Sequence, residues 1–410
     1  FPLLPRRFAI IPIIMAACYI TLGQQILVAS MHFSIFRILI LVGLTRLVIR
    51  NEIRWIKFNV IDKTLVLWVI SSIVVYTLLW QTTGALIYKL GQAYNAIGIY
   101  FLSRFFIHNI REFFNLIKIL AILVVPLAIV MLIESKTGRN IFYVFGGVPE
   151  FSVIRNGRVR CQGAFRHPIL AGTFGATSMP SFVALWWQGG RGKILFFLGV
   201  ICATIITIAS ASSGPMTTYI FAIIGLAMWF FRKNMLAIKW AILLSLITLH
   251  MAMKAPVWYI MDRLGGVIGG GGWHRAELID QAVKHFDEWW LMGTKVTAHW
   301  MPTALAIDPT RADITNHFIA QGVNGGLLTL VLFILLLVRN FQGVGKALSM
   351  EGQPTGIRIG LWTIGASLLA HVVSFFSVSY FDQINIFLYL LLAAISISIN
   401  PQPAKMAAKN

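Results

Sequence analysis

The chain of 410 residues has 34 Lys and Arg against 14 Asp and Glu, a formal net charge of +20, yet 58% of it is hydrophobic and 12% charged. With a mean hydropathy of +0.79, that much apolar side chain has no place in a soluble fold, so residues 1–410 are expected to form a single membrane domain. The cations sit in short loops between apolar runs, which is the pattern of a topology signal and speaks against a nucleic-acid partner.

The apolar runs are continuous and lack the alternation of barrel strands, which predicts an all-α polytopic protein of about twelve transmembrane helices in a lipid bilayer. Arg6 and Arg7 precede a first span over Phe8–Ala29, too long for the core of a removable signal peptide. A second, Phe33–Ile49, is followed by a basic loop with Arg50, Arg54, Lys57 and Lys63. Spans three to five fall at Leu65–Thr82, Gly91–Ile107 and Phe114–Ile133, the fourth interrupted by Gln92, Asn95 and Gly98. A polar loop, 134–167, separates these from spans at Pro168–Trp187, Ile194–Ala211, Met216–Phe231 and Ala237–Met253. After a long loop, 254–323, come Gly326–Val338, Ile359–Val378 and Gln383–Ile399.

Alternate connections then carry Arg6/Arg7, Arg50–Lys63, Arg104–Lys118, Arg191/Lys193, Arg232/Lys233/Lys239, Arg339/Lys346/Arg358 and Lys405/Lys409. The positive-inside rule makes that side the cytoplasm, with both termini on it, and places the two polar loops together on the outer face. The shorter loop holds Lys136, Arg139, Arg155, Arg158, Arg160 and Arg166 against Glu134 and Glu150. Arginine on the translocated side anchors headgroups or binds an anion, for which the guanidinium is suited by its fixed charge and bidentate geometry.

The long loop holds half of all the carboxylates, four histidines, the glycine run Gly269–Gly272, expected to act as a hinge, and several tryptophans. Trp273–Trp290 has the period of an amphipathic helix, with Ala276, Ile279, Val283, Phe286 and Trp290 on its apolar side. Arg275 falls in its first turn, where helix amides and a guanidinium together face an anion. If the segment around His317 is helical, Asp313 and His317 share a face, so that the carboxylate orients an imidazole suited to general-base work; otherwise His317 is a helix-start histidine held by a local hydrogen bond. No local zinc motif, P-loop or nucleophile elbow occurs, and Cys18, Cys161 and Cys202 form no disulfide or metal spacing, so no metal and no cofactor are expected.

The order of motifs resembles the O-antigen ligase and polymerase superfamily of bacterial envelope glycosyltransferases. It runs Arg160-x-x-Gly163-x-Phe165-x-x-Pro168 into a span, a Ser-rich Ser210–Gly214, an outer helix led by Arg275, then His317 before Gly322, Gly325 and Gly326. The resemblance covers Arg155 to Leu337. It implies metal-independent transfer of a glycan from a polyprenyl-diphosphate donor to a glycan or lipid A core acceptor, at the outer face of the bacterial inner membrane. By position His317 would be the general base, Arg275 and Arg160 would bind the leaving diphosphate, and Arg158 and Arg166 would assist. Two departures stand out. Ser212-Ser213-Gly214-Pro215 lacks the Arg or Lys common in the family, so one cationic contact is absent or supplied by another Arg, and the usual His-Asn pair appears as Asn316-His317. A transporter of an anionic or lipid-linked solute is the main alternative, although the two halves show no matching broken helices and almost no acidic residue lies in mid-membrane, Asp382 near the end of span twelve being the nearest candidate. A membrane assembly protein is the third.

Overall fold

Seven helical stretches are long and apolar enough to cross a membrane in the computed structural model, which describes residues 4–28, 31–53, 56–263, 272–302 and 306–399. They are Val60–Trp80, Ile110–Thr137, Pro168–Trp187, Gly192–Ala209, Ser213–Ala252, His317–Leu348 and Thr355–Phe375, with a shorter apolar helix at Ile384–Ile399. Gly269–Gly271 of the expected hinge, Arg54, and Lys405 and Lys409 of the tail lie outside the described residues.

The first predicted span is not one continuous helix. Helix α1 covers Ile11–Tyr19, and the chain then turns into an antiparallel hairpin of Gln25–Val28 (β1) and Met31–Ser34 (β2). At nine residues α1 rises only about 14 Å, half a bilayer core. The turn is pinned at Gly23, where a Cβ would lie 2.5 Å from the Gly146–Gly147 backbone. The segment still runs beside Ile110–Thr137 (α5): Arg6 pairs with Glu112 and Tyr19 Oη donates to Leu123 O, while Thr21 Oγ1 reaches the loop beyond it, donating to Phe145 O.

Helices α2 (Ile35–Ile49), α3 (Val60–Trp80) and α4 (Thr83–Phe106) precede α5. Asn59 caps α3 by accepting from Ile61 N–H and Asp62 N–H, while Asp62 accepts from Asn59 N–H. The same buried carboxylate pairs with Arg104 of α4 at 3.0 Å, so a capping box also ties two helices together. After the first polar loop come α6 (Pro168–Val183), α7 (Gly192–Ala209), α8 (Ser213–Ala227) and α9 (Met235–Ala252). The second polar loop contains α10 (Trp273–Lys284), and α11 (His317–Leu348), α12 (Thr355–Phe375) and α13 (Ile384–Ile399) complete the bundle.

Helix α13 is the axis: all its residues are buried except Asn385 and Ile399, and α4 and α11 pack along it. Helix α6 is almost as enclosed, lying among α7, α8 and α12. Helix α9 is the opposite case, with no buried residue on an apolar surface. A helix apolar all round and unpacked needs lipid as its partner.

The expected amphipathic helix is shorter than predicted, and only the first part of its predicted apolar side, Ala276 and Ile279, packs inward. It ends at Lys284, before a single turn at Phe286–Trp289, and it covers Ala276, Leu278, Asp280 and Ala282. Val283, Phe286 and Trp290, assigned to the apolar side, are exposed. Exposed side chains of this kind suit the membrane interface, where lipid takes the place of protein as apolar partner.

Helix α11 is broken at Gly326, whose φ of 66° and ψ of −177° lie outside helical geometry. The second polar loop is stitched into the break: Leu327 N–H donates to Trp290 O at 2.7 Å, and Thr294 N–H to Val323 O at 2.9 Å. A Cβ at Gly326 would come within 2.4 Å of Leu291 O, so both the conformation and the contact require glycine.

Candidate functional site

The first polar loop, 134–167, is built on one buried carboxylate. Glu134, at the end of α5, accepts from Ser152 Oγ–H at 2.7 Å, Gln162 N–H at 3.0 Å and Gly163 N–H at 2.9 Å. Asn140 Nδ2–H donates to Gly163 O, and Cys161 N–H to Ala209 O. These bonds hold Arg160 against the turn between α7 and α8. There Ala211 adopts a left-handed φ of 44°, strained for a residue with a Cβ, and the turn delivers Ser212 and Ser213 to the start of α8.

Each serine holds a different arginine. Arg160 donates from Nη2 to Ser212 Oγ at 2.8 Å, and Arg275, from the first turn of α10, donates from Nη2 to Ser213 Oγ at 3.2 Å. The Ser-rich turn, which has no Arg or Lys of its own, thus has an arginine from each polar loop bonded to it. Burial, and then the charge of Arg155, push both guanidinium groups below the usual arginine range. Among the described residues none of the three arginines forms an ion pair, and Arg160 Nε is buried without a hydrogen-bond partner. Two uncompensated guanidinium groups beside the free amides of a helix N-terminus, with the charge of Arg155 felt at both, make an anion-binding arrangement.

His317 opens α11 and borders a different space. A cavity of about 890 Å³ is lined by Arg37, Lys89, Arg166, Lys295 and Arg311 against Asp313 and Asp382, with Trp68, Tyr76, Tyr88, Gln321 and Asn385 among its polar and aromatic walls. Arg160 and Arg275 do not line it. The connection between α12 and α13 touches both places: a Cβ on Gly214 would meet Ser377 Oγ at 2.7 Å and Arg275 Nη2 at 3.4 Å, and Tyr380 N–H donates to His317 Nδ1 at 3.1 Å.

That last bond determines what the imidazole offers. With Nδ1 accepting from a backbone amide, a neutral ring carries its proton on Nε2. Nε2 lies 3.3 Å from Gln321 Nε2, and Gln321 Oε1 accepts from Trp68 Nε1–H at 3.0 Å. With Gln321 Oε1 already accepting, the protonated Nε2 of His317 faces another donor, so the ring presents an unspent N–H towards the cavity.

The expected Asp313–His317 helical pair is corrected. Asn316 caps α11 through Phe318 N–H and Ile319 N–H, so the helix begins at His317, and residues 313–316 are not helical. Burial lowers the His274 pKa, against the opposing charge of Asp313. Arg158 is exposed in the small hairpin of Ile154–Arg155 (β3) and Arg158–Val159 (β4), where Arg155 and Arg158 are paired in register. Arg166 lies 3.5 Å from Asp382 at the cavity.

Sequence reasoning counted Arg155 among the loop charges without giving it a role; only the fold brings it to Arg160 and Arg275. Gln92 and Asn95, which weakened the fourth span, line the cavity, so the polar interruption was the available signal. The second polar loop also gathers His285, Glu288 and His299, whose ligand atoms lie within 4.8 Å of one another and which match no local motif. In comparisons with known proteins, no family model matches the chain and no curated protein matches it.

Proposed function

We propose that this chain is a multi-pass inner-membrane glycosyltransferase of the O-antigen ligase and polymerase type, with about twelve crossings, both termini in the cytoplasm and both polar loops in the periplasm. The observation that carries the reading is the meeting of Arg160 and Arg275, one from each polar loop, at the serine-bearing start of α8. A polyprenyl diphosphate matches that arrangement: its two phosphates meet the guanidinium groups and helix amides while its tail lies in lipid.

In the reaction, an acceptor hydroxyl oxygen forms a bond to the anomeric carbon of the donor glycan. The bond from that carbon to the diphosphate oxygen breaks, and its electron pair leaves with the diphosphate, where Arg275 and Arg160 stabilise the charge. The hydroxyl proton passes to His317. For that step His317 must give up the Tyr380 amide and present an unprotonated ring nitrogen.

The test is a transfer assay on purified protein with a polyprenyl-diphosphate-linked glycan and excess chelator. Release of polyprenyl diphosphate, lost in Arg275→Ala and His317→Ala, is the expected result. Turnover surviving His317→Ala overturns its role as base.

A second reading, transport of an anionic solute, is favoured by one observation: Lys89, a cation buried in α4, lines the large cavity. It predicts uptake of anionic glycans into proteoliposomes, lost in Lys89→Met, with no cleavage of a lipid-linked donor.

A further inference from the structure

We propose that His285, Glu288 and His299 form a binding site for a divalent transition-metal ion of the zinc class, separate from the arginine cluster. Glu288 Oε1 lies 2.7 Å from His285 Nδ1, and His299 Nε2 lies 3.0 Å from Oε1 and 3.1 Å from Oε2, so both imidazoles point at the one carboxylate. In tetrahedral zinc coordination, ligand atoms at the usual bond lengths are roughly 3.3 Å apart. A shift of a few tenths of an ångström around Glu288 would reach that spacing, with somewhat more needed between the two rings.

The surroundings have the form of a metal site. Trp300 Nε1–H donates to Glu288 Oε2 at 3.1 Å, which fixes the carboxylate and leaves Oε1 free for the ion. The Trp300 ring stacks on His285, with centroids 5.8 Å apart and planes 10° from parallel. All three ligand side chains are partly exposed, which gives the ion a path in and leaves a fourth position for water. Two imidazoles and one carboxylate favour zinc, nickel or copper over magnesium or calcium.

The ion would close the loop from Glu288 to His299. That loop carries Thr294 and Lys295, which line the cavity beside His317, and its Thr294 N–H is bonded to α11. The role is that of a clasp on the cavity wall and not of a participant in transfer. The proposal therefore stands or fails separately from the glycosyltransferase reading.

The test uses the full chain, purified in detergent and stripped of metal. Zinc chloride is titrated by calorimetry, and cobalt(II) is titrated with its visible absorption and tryptophan fluorescence as readouts. We expect about one equivalent bound, cobalt bands of four- or five-coordinate geometry, and quenching of Trp300. His285→Ala/His299→Ala should weaken zinc binding by about 100-fold or more, while His274→Ala and Arg275→Ala leave it unchanged. The isosteric Glu288→Gln supplies the same readout should the double variant fail to fold. Absence of saturable zinc uptake, uptake unaffected by Glu288→Gln, or magnesium bound as tightly as zinc would overturn the site.

Discussion

Ser212 and Ser213 sit side by side and hold arginines that are 115 positions apart in sequence, Arg160 and Arg275. A serine hydroxyl adds no charge to offset a guanidinium, so the cluster keeps its positive field for a ligand. Arg160→Ala or Arg275→Ala is expected to lower transfer by about 10²–10³-fold. Lysine at either position should not restore it, because the planar fork is lost. Assays of lipid-linked donor turnover decide this. His167 offers a second prediction at this scale. Its Nδ1 accepts from Ile169 N–H to cap α6, and burial followed by the charge of Arg160 pushes its pKa down to about 4. The unfolded chain, with a histidine near 6.5, binds more protons between those values, so stability falls as pH drops from about 6.5 towards 4. Thermal unfolding across that window should show the loss, and His167→Asn, which can cap without titrating, should flatten it. The four-residue spacing of Asp313 and His317 misled at this scale for a definable reason. Asn316 is a strong N-cap residue directly before His317, and it starts the helix after Asp313 has passed.

Between helices, the decisive features are groups that hold a loop to a helix end. Glu134 is buried and accepts three hydrogen bonds from the first polar loop. Glu134→Gln replaces an acceptor with a donor amide facing N–H groups. It should cost about 1–3 kcal/mol and displace Arg160, read as a lower unfolding midpoint together with weaker donor binding. Gly326→Ala places a Cβ in a left-handed backbone and against Leu291 O. The strain alone costs about 1–3 kcal/mol, and a lower midpoint of thermal unfolding would register it. Helical stretches such as Pro168–Trp187 were legible because apolar length is a strong signal. How far the protein covers the apolar side of α10 was not. Its position against the bundle decides which residues are covered, and periodicity alone does not separate a protein-facing stripe from a lipid-facing one.

For the molecule as a whole, hydropathy identified a helical membrane protein, and seven helical stretches meet the length and apolarity that a crossing requires. Hydropathy did not reveal that the first apolar run contains a turn and a hairpin, because Gly23 is fixed by contact with a loop more than 100 residues away. The proposed topology is tested with single cysteines, since Cys18, Cys161 and Cys202 are buried and give little background. Arg158→Cys and Arg191→Cys lie on exposed connections at either side of α6. In sealed spheroplasts an impermeant maleimide should label the first and spare the second; labelling of Arg191→Cys alone would invert the assignment. The exchange of backbone bonds at Gly326 has one more consequence. Amides that bridge two segments exchange with deuterium only when both segments let go. Leu327 and Thr294 should therefore exchange at a common slow rate, and whatever tightens the loop around Trp290 should slow exchange in α11 by the same factor.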